Sequence, residues 1–571
     1  MSLIRVRRRA EIPTVDLLIR KRHIVEYPLR PPRSTPESRG AVPLNPRQER
    51  LRGMIIDRDV VVTTRAGRTV VLDVYRPENE APAPAVIAWS PYGKHNPAPI
   101  GVIYPESGVR PDDIGELTTF EAPDPDYWVP FGYSIVIADI PGTWNATGPA
   151  SFISPEEAED YYDLIEWAGT QPWSNGKVGL SGVSYLTVSQ WRVAELNPPH
   201  LAAINPWEGW SDTYREVARH GGIPETSFWP YIWERWGASR GPIEDLELET
   251  AEHPWFDDFW QSKASVMERI TVPAWVVGSW SDQGLHSRGT LEGFRRLSSS
   301  QKWLDIHGRK KWGEYYLPAN VERQRQFFDR FLKGEENGWE DRPPVLYEVR
   351  ERYYVGETFG AESWPLPDTA YTPYFLGADG TMSTEAPRDE DAVEYDGRGS
   401  GLRSHRAEFE VRFTERTEIV GHAWAELQVS APDAEDMDLF VGLFKKTADG
   451  EVVGFPYYAQ FEDGPVAVGW LRVSHRELDP ERSHPFLPVL AHQRALPMEK
   501  DGPTSVTIEI LPSGTVFEAG ESLVFVIQGR DIMDYPPAVY ARHHETANRG
   551  RHLIHVGGAH ASRLVLPVIG A

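Results

Sequence analysis

A serine in a glycine-rich turn is the residue of this sequence best suited to nucleophilic chemistry. The segment 176–185 reads GKVGLSGVSY, which predicts a short buried strand, a tight turn at Ser184 and a helix that begins near Tyr185. A serine on such a bend holds its hydroxyl above the sheet, as a nucleophile requires. The usual motif is G-x-S-x-G, and Leu186 replaces its last glycine here. An ordinary strand–helix connection is therefore the alternative interpretation.

A serine hydroxyl needs an adjacent base, and the base needs an acid that orients it. On an α/β-hydrolase sheet these residues follow in the order Ser, Asp or Glu, His, each in a loop after a strand. Asp282 follows a predicted strand at 274–278, and His307 follows another at 302–306. We therefore predict Ser184, Asp282 and His307 as the catalytic residues. His286 is the main rival base, but it lies just past Asp282, in what we interpret as the acid's own loop.

An oxyanion hole needs donors aimed at the charge that develops on the substrate oxygen. We expect the backbone N–H of Tyr185 to be one donor, because it directly follows the nucleophile. The second should come from the loop after the predicted strand 85–89, where Tyr92 offers a phenol. The alternative for Tyr92 is a packing aromatic ring with a surface hydroxyl.

The elements around these residues predict an α/β fold. Apolar strands alternate with helical segments over 51–204 and again over 266–340, which is typical of a mostly parallel sheet covered by helices on both faces. The insert at 205–265 is helical and aromatic, and we interpret it as a cap over the sheet. Most of its aromatic residues should form its own core, but some should line a pocket. The substrate-binding candidates are Trp207, Trp210, Phe228, Trp229, Trp233 and, in the acid's loop, Trp280.

The two ends of the chain differ from this central region. Residues 1–50 are rich in arginine and proline and predict an irregular N-terminal arm with one short helix at 15–23. Residues 341–571 show short β-like segments separated by turn signals, which predicts an all-β domain of the jelly-roll or sandwich type. We therefore expect a hydrolase domain, a helical cap and a C-terminal jelly roll.

Composition narrows the class of partner. The 571 residues carry a net charge of −25, which disfavours nucleic acid and anionic membranes. The sequence has no cysteine, which excludes disulfides and a thiol nucleophile, and it has no apolar run long enough to span a membrane. The basic start is not followed by an apolar segment, so we expect a cytoplasmic protein. We expect a small-molecule substrate, no metal and no organic cofactor, and leave a homodimer open.

Several segments together resemble the CocE/NonD family of serine hydrolases, which includes cocaine esterase, α-amino-acid ester hydrolases and X-Pro dipeptidyl peptidases. The resemblance extends from about residue 55 to the end of the chain. The matching segments are LDVYRP at 72–77, PYGK at 91–94, IEW at 165–167, QPW at 171–173, GVSYL at 182–186, VPA at 272–274, APD at 431–433, GWLRVSHR at 469–476 and FEAG at 517–520. The resemblance implies an α/β-hydrolase domain, a helical cap and a C-terminal jelly roll. It also implies Ser184 as nucleophile and Tyr92 as side-chain oxyanion donor.

Three positions depart from the family pattern. The loop that starts at Asp139 lacks the usual arginine, and Thr187 stands where the family often has glycine. The family's histidine usually ends a Gly-Pro-Trp-x-His stretch, whereas segment 307–312 reads HGRKKW. His307 is the only histidine of that loop, and it comes earlier than the pattern expects.

The sequence favours an esterase for apolar or aromatic acyl esters that works through an acyl-enzyme. An amide or peptide hydrolase of the X-Pro dipeptidyl-peptidase or acylase type is the alternative, with Glu208 and Asp212 as candidate readers of a free amino terminus. A third interpretation, from another class, is a binding protein on a degenerate hydrolase scaffold.

Overall fold

The computed structural model describes residues 27–79, 81–95, 100–236, 238–398, 405–535 and 542–570. The short helix expected at 15–23 lies outside these residues. No helix within these ranges is both long and apolar enough to cross a membrane.

The hydrolase part is built on one large mixed sheet. The strands up to residue 361 are β1 (Leu29–Arg30), β2 (Arg47–Leu51), β3 (Met54–Thr63), β4 (Thr69–Pro77), β5 (Ala83–Ser90), β6 (Ser134–Asp139), β7 (Ser174–Val183), β8 (Leu201–Trp207), β9 (Arg219–His220), β10 (Ile223–Pro224), β11 (Ile243–Glu244), β12 (Ala274–Ser279), β13 (Lys302–His307), β14 (Val345–Arg352) and β15 (Val355–Ala361). The sheet order is β2-β3-β4-β6-β5-β7-β8-β12-β13-β14-β15. The neighbours from β6 to β14 run parallel, so the loops that carry Ser184 and Asp282 open at one edge of the sheet.

Helices cover both faces of this sheet, which explains why its central strands are almost continuously apolar. The helices are α1 (Ile100–Ile103), α2 (Pro125–Trp128), α3 (Pro155–Gly169), α4 (Tyr185–Ala194), α5 (Phe228–Trp236), α6 (Leu246–Glu252), α7 (Asp258–Ser262), α8 (Ser287–Arg296), α9 (Lys311–Tyr315) and α10 (Pro318–Phe328). Ser154 caps α3 by accepting a hydrogen bond from the Glu157 amide at 3.0 Å. The insert between β8 and β12 contains α5 to α7 and forms the helical cap.

The C-terminal part is a jelly roll of two packed antiparallel sheets. Its strands are β16 (Thr369–Leu376), β17 (Met382–Ser383), β18 (Asp391–Asp396), β19 (Arg406–Arg412), β20 (Thr417–Ser430), β21 (Asp438–Lys446), β22 (Val452–Val453), β23 (Phe455–Tyr457), β24 (Phe461–Gly464), β25 (Ala467–Arg472), β26 (Thr504–Phe517), β27 (Ser522–Gln528), β28 (Arg551–Val556) and β29 (Arg563–Ile569). One sheet has the order β16-β29-β20-β26, and the other β19-β27-β21-β25. A separate apolar core lies between them.

Arg350 joins the hydrolase sheet to the jelly roll. It lies on β14 opposite Thr515 of β26, where the two strands pair in parallel. Its guanidinium donates to the Ser513 hydroxyl at 2.6 Å, to the Val466 carbonyl at 3.1 Å and to the Gly514 carbonyl at 3.2 Å. The side chain is fully buried, and burial lowers its pKa to about 9. The two domains therefore meet around this buried cation.

We expect Arg350→Ala to lower the apparent unfolding temperature. The change removes a charged donor and leaves buried acceptors unpaired, which costs on the order of 2–4 kcal/mol. Arg352→Ala is the matched control, because Arg352 is exposed and its ion pair within the described residues is with its neighbour Glu351 at the surface. Equal melting curves for the two variants, measured by scanning calorimetry, would contradict this role for Arg350.

Candidate active site

Ser184 lies on a strained turn between β7 and α4. Its backbone has φ 60° and ψ −117°, a left-handed conformation that side-chain-bearing residues rarely adopt. The Ser184 amide donates to the carbonyls of Trp207 at 3.2 Å and Glu208 at 3.0 Å, at the end of β8. These bonds hold the turn against the neighbouring strand, so the hydroxyl projects beyond the sheet edge.

Two glycines allow the close packing of this turn. A side chain at Gly182 would come within 2.4 Å of Leu186, and one at Gly209 would come within 2.4 Å of Thr187. Thr187 also donates through its hydroxyl to the Trp207 carbonyl at 2.7 Å. The two residues that depart from the usual sequence motifs, Leu186 and Thr187, therefore fill space that the glycines leave open.

A continuous hydrogen-bonded chain links serine, histidine and aspartate. The Ser184 Oγ is 3.1 Å from His286 Nε2, and His286 Nδ1 contacts Asp282 Oδ2. A carboxylate beside Nδ1 assigns the ring proton to that atom, which leaves Nε2 free to accept the serine proton. The Trp210 ring lies nearly parallel to the imidazole, at 5.6 Å between centroids.

The contact with His286 corrects our assignment of His307 as the base. His307 is the last residue of β13, and its Nε2 lies 3.2 Å from Glu208 Oε1. It lines a separate cavity with Trp207 and Glu348. Burial opposes its protonation, but the contact with Glu208 outweighs burial and raises its pKa. The structure brings Ser184 and Asp282 together with His286, and it pairs His307 with a different carboxylate.

The signal for His286 was present in the sequence as a spacing of four residues from Asp282. The His286 amide donates to the Asp282 carbonyl at 3.0 Å, so the segment forms a helical turn just before α8. Residues four apart lie on one face of such a turn. The strand-end rule, which assigns acid and base to separate loops, favours His307 instead.

Two donors converge beside the Ser184 hydroxyl. The Tyr92 hydroxyl is hydrogen-bonded to the Ser184 side chain, and it accepts from the backbone N–H of Tyr185. Burial raises the pKa of Tyr92 well above its ordinary value, so the phenol keeps its proton. Tyr92 and the Tyr185 amide therefore adjoin one another, as our prediction of an oxyanion hole requires.

The loop that carries Tyr92 is fixed from both sides. Gly93 has φ 98°, and a side chain there would come within 2.5 Å of the Trp144 indole, which donates to the Pro91 carbonyl at 2.8 Å. Lys94 is buried, and its ammonium contacts Asp59 at 2.6 Å and Asp73 at 2.7 Å. The Trp144 indole and the Lys94 ammonium therefore support the loop that carries Tyr92. The neighbouring loop, which starts at Asp139, lacks the arginine that is usual in the family.

Glu121 is a buried carboxyl that our sequence reasoning missed. It hydrogen-bonds to Tyr92, and its Oε1 accepts from Trp312 Nε1 at 2.8 Å. Burial raises its pKa to about 7, against the opposing charge of Lys311. Its backbone carbonyl accepts from the Val183 amide, next to the nucleophile. No motif identifies this residue, because it comes from an irregular loop.

The aromatic candidates divide between two regions. Trp210 contacts Phe228 and Trp229 at centroid distances of 6.5 and 6.4 Å, beside His286. The side chain of Trp233 lies outside the described residues. Trp207 packs against Trp275 and Tyr315, and Trp280 donates to the Glu348 carbonyl at 2.7 Å, toward the jelly roll, so a substrate-binding role for these two residues stays a prediction.

The fold and the geometry around Ser184 define an α/β-hydrolase with a helical cap and a C-terminal jelly roll. Residues 67–236 match the family model described as X-Pro dipeptidyl-peptidase (S15 family), and residues 337–565 match the X-Pro dipeptidyl-peptidase C-terminal non-catalytic domain. A solved CocE/NonD family hydrolase from Staphylococcus aureus is 43% identical, with a TM-score of 0.87 over 90% of this chain and 94% of that one. The chain therefore belongs to the CocE/NonD family of hydrolases.

Two more distant relatives agree with this placement. The cocaine esterase of Rhodococcus sp. (strain MB1 Bresler) is 25% identical over 90% of this chain and 98% of its own length. The structure of an α-amino-acid ester hydrolase has a TM-score of 0.68 at 18% identity, covering 90% of this chain and 97% of that one, which supports the shared fold.

Substituting each histidine separately distinguishes the two candidate bases. We expect His286→Ala to slow labelling of Ser184 by a fluorophosphonate about 10²- to 10⁴-fold, because it removes the general base. His307→Ala is the matched control and should label at a rate close to that of the unaltered protein. The labelling rate is followed by mass spectrometry, and circular dichroism establishes that both variants fold. Slower labelling of His307→Ala than of His286→Ala would instead assign the base to His307.

Proposed function

We propose that this protein hydrolyses carboxylic esters with apolar or aromatic acyl groups through an acyl-enzyme on Ser184. The observation that carries the proposal is the Ser184–His286–Asp282 hydrogen-bonded chain at a strained turn. His286 Nε2 takes the hydroxyl proton as Oγ attacks the ester carbonyl carbon. Asp282 keeps the imidazole in the required tautomer and offsets the charge of the imidazolium that forms.

The developing oxyanion binds Tyr92 and the Tyr185 amide. Collapse of the tetrahedral intermediate expels the alcohol, which receives its proton from His286 Nε2. Water then enters, gives a proton to the same nitrogen and attacks the acyl carbonyl. Collapse of this second intermediate breaks the bond to Ser184 Oγ, which takes that proton back as the carboxylic acid leaves. Each proton passes through one nitrogen atom that lies 3.1 Å from the serine oxygen.

Two carboxylates that could read a free amino terminus have other partners, which supports ester over dipeptide substrates. Glu208 accepts from the Ser279 hydroxyl at 2.8 Å and contacts His307. Asp212 pairs with the buried Arg215 at 2.7 Å. Both carboxylates are buried, whereas the surroundings of His286 include Trp210, which suits an apolar acyl group.

Matched chromogenic substrates test this proposal. We expect p-nitrophenyl esters to turn over faster than Ala-Pro-p-nitroanilide. Ser184→Ala should lose on the order of a millionfold in kcat, because the nucleophile is removed. Faster hydrolysis of the anilide would assign the site to peptides, and undiminished ester turnover by the Ser184→Ala variant would refute a serine mechanism.

Tyr92→Phe tests the oxyanion donor. Loss of one such hydrogen bond costs about 10²- to 10³-fold in kcat with little change in KM, because the bond forms mainly in the transition state. Tyr127→Phe is the control, since the Tyr127 hydroxyl bonds Glu322 at 3.0 Å on the outer face of the domain. A Tyr92→Phe variant whose kcat matches that of Tyr127→Phe would leave the oxyanion hole without a side-chain donor.

A further inference from the structure

A buried lysine contacts both the acid and the base of the site. Lys311 Nζ lies 2.8 Å from Asp282 Oδ2 and 3.2 Å from His286 Nδ1. Lys311 is 5% exposed and begins α9, in the loop where the family pattern has its histidine. The proposed reaction assigns no proton transfer to this ammonium.

We propose that Lys311 is a positioning residue that fixes the Asp282 carboxylate on His286 and extends the working range of the enzyme into acid. The proposal rests on the function proposed above, in which His286 acts as the base. It adds a role for a residue that does not touch the reacting atoms.

The hydrogen bonds of Asp282 show how the lysine acts on the carboxylate. Oδ2 contacts both Lys311 Nζ and His286 Nδ1, whereas Oδ1 is buried and makes no hydrogen bond to the described residues. A carboxylate attached to the same helical turn as its histidine could rotate about its own side-chain bonds. The ammonium holds one oxygen in place, and this fixes the direction of the Nδ1 hydrogen bond.

The charges around His286 determine when it can accept a proton. Asp282 on its own turn favours the imidazolium, while Lys311 from α9 opposes it. Ser184 and Trp210, from the other elements packed on the ring, are neutral. The carboxyls of Glu121 and Glu208 both interact with Lys311.

Burial, which is the larger cause, and the charge of Lys311 together lower the pKa of His286 to about 4, against the opposing effect of Asp282. A base with a lowered pKa stays neutral, and therefore active, until the pH falls through that value. Activity should then persist through the range in which an ordinary histidine of pKa near 6.5 would already be protonated.

The pH dependence of kcat/KM tests the inference, with a p-nitrophenyl ester as substrate. For the unaltered enzyme we expect the acid limb near pH 4. Lys311→Met should move that limb upward by about 1–3 pH units, the effect of one charge at this distance. Lys311→Arg keeps the charge and should keep the limb low. Lys310→Met is the control, because Lys310 is also buried but contacts the Glu106 carbonyl and Glu462.

A second measurement needs no substrate. The ring signal of His286 in the intact protein, assigned with His286→Gln, should titrate near pH 4 by NMR. Titration near 6.5 would overturn the inference, as would a Lys311→Met profile that coincides with that of Lys310→Met. An absence of ester turnover in the unaltered enzyme, with His286 still titrating near 4, would refute the proposed function and leave the positioning role intact.

Discussion

The left-handed backbone at Ser184 is the constraint on which the rest of the site depends. Such a conformation is costly for a serine, and it persists only because its surroundings determine it. The Ser184 amide is bonded to the end of β8, and Leu186 packs over Gly182. The same bend points the Tyr185 amide at Tyr92. One backbone conformation thereby positions the proposed nucleophile and a proposed oxyanion donor together.

The fold could be predicted from the sequence because its signals are local and repeated. Apolar strands alternating with helical segments indicated the hydrolase sheet. After residue 341 this alternation gives way to short β-like segments separated by turn signals, which indicated the jelly roll. The strand end before Ser184 and the loop of Tyr92 were also readable, because strand, turn and helix signals follow one another directly at 176–185. For Ser184 and Tyr92, the order of strand, turn and loop along the chain is enough to place the residue at the end of its strand.

The histidine that contacts Ser184 could not be predicted in this way. A histidine at a strand end favours His307, whereas the contact is made by His286, in the segment that we interpreted as the acid's own loop. Only the direction of the side chains decides between them, and the end of β13 turns His307 toward Glu208. The same holds for Trp207 and Trp280, since sequence places a residue near an edge of the sheet without fixing the direction of its side chain.

In the proposed mechanism the acid and the base lie on one helical turn, and this changes which residue the loop with α9 must supply. Their relative geometry is set by local backbone hydrogen bonds, so α9 need not provide a histidine and provides Lys311 instead. The next residue of α9, Trp312, holds Glu121 against Tyr92. One short helix therefore contacts both the proposed acid–base pair and the partner of the proposed oxyanion donor, and a displacement of α9 would disturb both halves of the site at once.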